Sequence, residues 1–192
     1  MQTKHTLKNF VFGGILANEA LSSIQEKPIE VQSLSKEDTN TGIDLSTFSS
    51  SMQSNAINMA RIYSLFFCFE NSVRELVSKR LKEKYGNKWW IEKVGNTIKS
   101  KVGERKSKEK QNKWHSARGN EEINYCDFGD LTTIIISNWI DFEDFFPDQE
   151  WIRTRLGDLE TSRNVLAHNN ILAEADIARI RIYVNDWIRQ VG

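Results

Sequence analysis

The sequence predicts an all-α fold, on three observations. Only two prolines, Pro28 and Pro147, occur in 192 residues, and proline is the residue that breaks helix interiors. Apolar residues recur three and four apart through most of the chain after residue 50. The one β-branched run, Leu131-Thr-Thr-Ile-Ile-Ile136, has no second strand to pair with.

The elements follow in order. Residues 1–25 hold a short apolar segment, Phe10-Val-Phe-Gly-Gly-Ile-Leu16, which its glycine pair weakens as helix or strand. Residues 26–50 are rich in Ser, Thr, Glu and Asp and read as a linker. The chain therefore divides into an N-terminal appendage over 1–45 and a helical domain over 46–192. A first helix runs from about Ser50 to Tyr85, capped by Ser49-Ser50-Ser51 and stopped by Gly86. Its apolar positions are Tyr63, Phe66, Phe67, Val73, Val77 and Leu81. A second begins near Trp89-Trp90, carries Ile91, Val94 and Ile98, and fades into a Lys-rich run as a frayed helix or exposed loop. Asp130 caps a third helix, Leu131 to Trp139. Pro147-Asp148 opens a fourth, through Ile152, Leu156 and Leu159 to about His168, where Asn169-Asn170 interrupts it. The last starts near Ala173, with Glu174 and Asp176 in its first turn. Phe142, Phe145 and Phe146 are expected to pack the junction before Pro147.

Composition is that of a soluble globular protein, 39% apolar and 27% charged. A chain this long buries a core without disulfides or metals. The net charge is zero but unevenly spread. Residues 79–113 hold thirteen Lys/Arg against four Asp/Glu, and residues 121–160 hold two against eleven. The basic run reads either as a solvated helix face or as a phosphate-attracting patch, with Lys79, Arg80, Lys106, Lys108 and Lys110 as its RNA contacts. The two halves are also able to attract each other, within one chain or between two. Trp89, Trp90 and Trp114 offer stacking platforms on the second reading and core material on the first. Cys68 and Cys126 form no CxxC pattern, and Cys68 is expected to be a buried structural thiol. With no signal-peptide pattern and no apolar run of the ~20 residues a membrane span needs, the expected location is the reducing cytoplasm.

The informative stretch is Thr161-Ser-Arg163-Asn164-Val-Leu-Ala-His168-Asn169-Asn170. On a helical wheel Arg163 joins the apolar stripe of Ile152, Leu156, Leu159 and Leu166. A charge on such a stripe needs a partner. Glu70 is the candidate, a carboxylate on the apolar stripe of the first helix, with Arg74 one turn away as a competitor. Asn164 and His168 are one turn apart on one face. Together these residue types suit cleavage of RNA by its own 2′-hydroxyl. His supplies a base active near neutral pH. Arg supplies charge and donors to the phosphorane oxygens. A helix-end His beside an Arg in a structural ion pair is the plainer alternative. No His/Cys/carboxylate cluster has metal-ligand spacing, and no cofactor is implied.

Arg163-Asn164-x3-His168 resembles the signature of the HEPN superfamily. Around it, Phe69-Glu70-Asn71-Ser-Val-Arg74-Glu-Leu, Tyr85-Gly86-x2-Trp89-Trp90 and Tyr125-x-Asp127-Phe128-x-Asp130-Leu131 resemble a subgroup found at the end of a yeast RNA-surveillance endoribonuclease and in bacterial proteins. The resemblance covers about residues 50–190. It implies a HEPN-like bundle of four to five helices, a homodimer, and an RNA substrate cut without a metal. It implies Arg163 as phosphate ligand, His168 as general base or acid and Asn164 at the polar position. Glu70 would orient Arg163, with Asn71 and Arg74 in support. It further implies a setting in toxin–antitoxin or antiviral systems, with an antitoxin or defence partner. Some members of the superfamily are non-catalytic modules that bind RNA or protein, which is the alternative function the resemblance implies.

Overall fold

The computed structural model describes residues 45–192. The apolar segment Phe10–Leu16, His5 and nearly all of the N-terminal appendage lie outside the described residues. Six α-helices make up the described part. They are α1 (Ser50–Tyr85), α2 (Trp89–Lys93), α3 (Asn96–Gln111), α4 (Phe128–Ser137), α5 (Gln149–Ala167) and α6 (Glu174–Val191), with short 3-10 turns between them. No strand occurs among the described residues, so the all-α expectation holds.

Local chemistry sets the boundaries. Ser49 Oγ accepts the N–H of Met52 to start α1, and Gly86 ends it at φ 63°, a backbone region that side chains with a Cβ avoid. Asp148 Oδ1 accepts the N–H of Trp151 at 2.7 Å to start α5. The expected cap of the third helix shifts by one turn. Asp127 is the cap of α4, and Asp130 is the third helical residue, returning a bond to the Asp127 N–H. This reciprocal box binds two orphan donors where a lone Asp130 cap binds one. The β-branched run is helical because Thr132 and Thr133 turn their hydroxyls back onto Phe128 and Gly129 carbonyls, while Leu131, Ile134 and Ile135 face the core.

The second helix is broken where one was expected. Val94 is extended and Gly95 caps a new helix. The Lys-rich run then remains helical to Gln111, neither frayed nor loop. Its Lys, Arg, Glu and Gln are good helix formers, and tertiary anchors fix it to the fold. Ile98 and Val102 are buried, and Arg105 bonds Asp127 at 2.7 Å and Asp130 at 2.8 Å.

The core lies where α1 crosses α4, α5 and α6. Phe69 on α1 touches Phe128 on α4 and Trp187 on α6, with ring centroids 5.8 and 5.4 Å apart. Phe146 stacks on Trp151 and leans on Trp187, and Phe142 is fully buried, as expected of that junction. Burial of each such ring stabilises the fold by roughly 1.5–3 kcal/mol. Phe66, Val73, Val77 and Leu81 of the expected α1 stripe are buried. Tyr63 and Phe67 are instead 60% exposed, and Ile62 and Phe69 take core places. Cys68, expected to be buried, is exposed with them.

Candidate functional site

The end of α5 carries the site. His168 is its cap residue, Asn169 adopts φ 57°, and the chain then leaves the helix. The Asn169 N–H donates to Leu166 O at 3.0 Å and the Asn170 N–H to Val165 O at 3.2 Å. These two bonds close the carbonyls of the last turn, and Asn tolerates the left-handed conformation they require. The asparagine pair thus fixes where His168 sits. Its imidazole is exposed and makes no hydrogen bond or ion pair among the described residues.

Arg163 lies on the groove between α1 and α5. Its Nε is 3.8 Å from Glu70 Oε2, too long for a hydrogen bond, and is buried without an acceptor. Its Nη1 donates to Asn164 Oδ1 at 3.1 Å. Glu70 is held more tightly by Arg74, whose Nη2 also donates to the Cys126 carbonyl at 2.9 Å. Arg74 Nη1 donates to Asn71 Oδ1, and Asn71 Nδ2 donates to Phe67 O. Glu70, Asn71, Arg74 and Arg163 therefore converge, as the stripe argument expected, with Arg74 as the closer partner of Glu70. Asn164 joins them through Arg163 but is exposed. His168 does not line this groove. Five residues on an ideal helix turn through about 140°, and the intact cap keeps that separation.

The groove is a concavity of about 310 Å³ walled by α1, α5 and the loop after α3. The loop contributes Arg118 and Asn124, which sequence reasoning missed. Both lie in a stretch without periodicity, and nothing in their spacing points to a site.

The five candidate RNA contacts of the basic run fare unevenly. Arg80 pairs with Asp144 at 2.6 Å and Lys106 with Glu122 at 2.9 Å. Those two are paired with the acidic half of the chain, so a phosphate would have to compete with a carboxylate for each. Lys79 is half-buried on α1, and Lys108 and Lys110 are exposed on α3. Trp89 is buried and Trp90 packs on it at 5.5 Å, so both are core material. Trp114 alone of the three is open, 85% exposed. Among the described residues no group of three or more His, Cys, Asp or Glu is arranged to hold a metal ion. No described helix is long and apolar enough to cross a membrane.

A family model described as Swt1-like HEPN matches residues 64–192, from the middle of α1 to the last residue. The chain belongs to the Swt1-like HEPN family. This HEPN match takes in Glu70, every groove residue except Tyr63, and the whole α5 terminus. No curated protein and no solved structure gives a significant match. The HEPN assignment agrees with the helical bundle and with the subgroup that the Glu70, Trp89-Trp90 and Arg163 motifs resemble. It connects the chain with nucleases and RNA-binding modules as a class.

Proposed function

We propose that the chain is a metal-independent endoribonuclease acting as a homodimer. The observation that carries this reading is the state of the α5 terminus. A purely structural Arg and His would spend their donors inside the fold. Here the His168 imidazole is open to solvent, and Arg163 shares its carboxylate with a closer arginine.

The chemistry follows from those groups. The imidazole accepts the proton of a ribose 2′-hydroxyl. The freed oxygen attacks the adjacent phosphorus, and the bond to the 5′-oxygen breaks. A protonated imidazole returns a proton to that leaving oxygen. The products are a 2′,3′-cyclic phosphate and a 5′-hydroxyl end. Arg163 stabilises the charge that builds on the phosphorane oxygens, and Asn164 steadies its guanidinium.

A dimer supplies what one protomer lacks. The first buried residue of α1 is Ile62, and the partly buried Met59 already packs against the core, so about two and a half turns precede any core contact. Met52, Ala56 and Met59 line one side of them, beside a hollow of about 580 Å³ that reaches Ile171 and shares Tyr63 and Leu166 with the Arg163 groove. Phe48, Met52 and Ile171 are each more than half exposed. Unsupported helix of this length is marginal in water. A second copy on the same face covers the stripe by twofold symmetry and brings its own α5 terminus toward the groove.

The test is cleavage of RNA in EDTA, with cyclic phosphate ends identified by mass spectrometry. His168→Ala should abolish cutting while its melting temperature stays within about 2 °C, as for other exposed substitutions. Undiminished cutting by that variant removes His168 from the mechanism. Growth arrest caused by the native chain and not by His168→Ala would place the activity in a toxin or antiviral setting.

A further inference from the structure

The groove beside Arg163 has features that phosphate binding alone does not require. Its third wall is the loop after α3, and that wall is built. Arg118 N–H donates to Glu109 Oε2 at 3.1 Å, and Arg118 Nε pairs with Glu109 Oε1 at 2.8 Å. Tyr125 packs below and donates its hydroxyl to the Gly119 carbonyl. The loop is thus tied to the end of α3 and braced across itself.

Within it, Gly119 and Asn124 are in close contact. Gly119 has φ 156°, and a Cβ there would lie 2.0 Å from Asn124 Nδ2 and 2.8 Å from its Cγ. Only a glycine leaves the Asn124 amide where it is. That amide lines the groove and makes no hydrogen bond among the described residues, so its donors and its acceptor are free. Phe67, which also lines the groove, is 60% exposed. Three guanidinium groups, from Arg74, Arg118 and Arg163, share the lining with one carboxylate, Glu70.

An open aromatic face, an unspent amide and excess cationic charge in about 310 Å³ fit one unstacked nucleotide. We propose that this groove is a nucleotide subsite that reads one base of single-stranded RNA beside the cleaved bond. Phe67 stacks on the base, the Asn124 amide bonds its edge, and Arg163, the guanidinium without a close carboxylate, holds its phosphate. Gly119 is a positioning residue that holds Asn124 in place. A base inside a duplex cannot reach the groove, so paired RNA is excluded.

This subsite rests on the nuclease reading for its place beside the cut, but its test does not require cleavage. The probes are 2′-O-methyl oligonucleotides of A, C or U, which lack the attacking hydroxyl, and the readout is fluorescence anisotropy at fixed salt. The native chain should separate its best and worst base by about tenfold or more, the range of a good bidentate base contact. Asn124→Ala should shrink that spread to about threefold or less, and Gly119→Ala should do the same by displacing the amide. Phe67→Ala should weaken all bases together by about tenfold. Circular dichroism melts confirm that each variant is folded. Retention of the native base preference by folded Asn124→Ala overturns the proposal, as does equal binding of the same sequence in a duplex. If the native chain shows base preference but never cuts RNA, the nuclease reading fails and the subsite stands. If it cuts RNA and Asn124→Ala keeps the native preference, the reverse holds.

Discussion

Replacing Arg163 by Ala separates a functional arginine from a structural one. Arg163 sits on an apolar stripe beside a carboxylate whose side chain is only 16% exposed. If it were the sole partner of Glu70, its loss would strand a buried charge at about 3–5 kcal/mol. In a domain of this size that is a fall in melting temperature of roughly 10 °C. Glu70 is not left alone, however. Arg74 holds Oε1, and the Arg163 contact to Oε2 is 3.8 Å with no hydrogen bond. Arg163 is itself 29% exposed, so solvent screens what remains. The expected loss is at most about 1 kcal/mol, or roughly 2–4 °C. Cleavage should fall by about 10²–10³, the effect of removing one transition-state donor. Thermal melts and initial rates on one preparation decide the matter. A drop near 10 °C, or cleavage within tenfold of native, refutes the reasoning. Arg74→Ala is the internal control. It removes bonds to Glu70, Asn71 and the Cys126 carbonyl together, so it should melt lower than Arg163→Ala.

Two further predictions concern the frame that holds the site. Burial works against ionisation of Asp141, but hydrogen bonds from Lys84 and Tyr85 outweigh it and set its pKa below the ordinary carboxylate value. Its contribution to stability is therefore full above about pH 4, the unfolded value, and is lost as pH falls through the lower native value. The gap in melting temperature between native and Asp141→Asn proteins should narrow from pH 6 to pH 3, and a constant gap would contradict the assignment. The Cys126 thiol is pushed up to about 12 by burial, with Asp130 adding to the shift, while Cys68 is exposed. Under native conditions a thiol reagent should label one cysteine, Cys68, and reach the second only after denaturant is added. Peptide mapping that finds equal labelling at both positions would contradict this burial.

Much of this is legible in the sequence. The bounds of α1, the stop at Gly86, the opening of α5 at Asp148 and the placing of Arg163 beside Glu70 all follow from periodicity and caps. These are local signals, and each is decided within one or two turns. What failed depended on tertiary contacts. The Lys-rich run looked too polar to hold a helix, and its anchors, Asp127 and Asp130, are more than twenty residues away in sequence. Phe67 and Cys68 looked buried because aromatic neighbours suggest a core, whereas Ile62 and Phe69 take the core places. Arg118 and Asn124 had no pattern to announce them. The opposite charges of residues 79–113 and 121–160 proved to be complementary within one chain. Lys82 with Glu121, Lys84 with Asp141, Lys101 with Asp130 and Lys106 with Glu122 all bridge the two halves. A net excess of charge in a segment thus measured its partner in the fold more than its affinity for phosphate.

The spacing of the motif carries one last consequence. Arg163 and His168 are five positions apart, so a continuous helix sets their side chains about 140° apart. Turning the imidazole into the Arg163 groove within a chain would require unwinding the last turn. That would break the His168 N–H bond to Asn164 O and the two bonds that cap the helix at Leu166 and Val165, and leave those carbonyls without partners. Pairing Arg163 of one chain with the partner subunit's His168 breaks none of them. The consequence is testable by mixing two inactive proteins. In a mixed dimer of Arg163→Ala and His168→Ala chains, one of the two sites keeps both native groups. With random exchange half the dimers are mixed, so activity should return to about a quarter of native. Incubation with mild denaturant followed by dialysis would permit the exchange, and native mass spectrometry of a tagged pair would verify it. If mixed dimers are present and activity is still absent, Arg163 and His168 do not act across the interface.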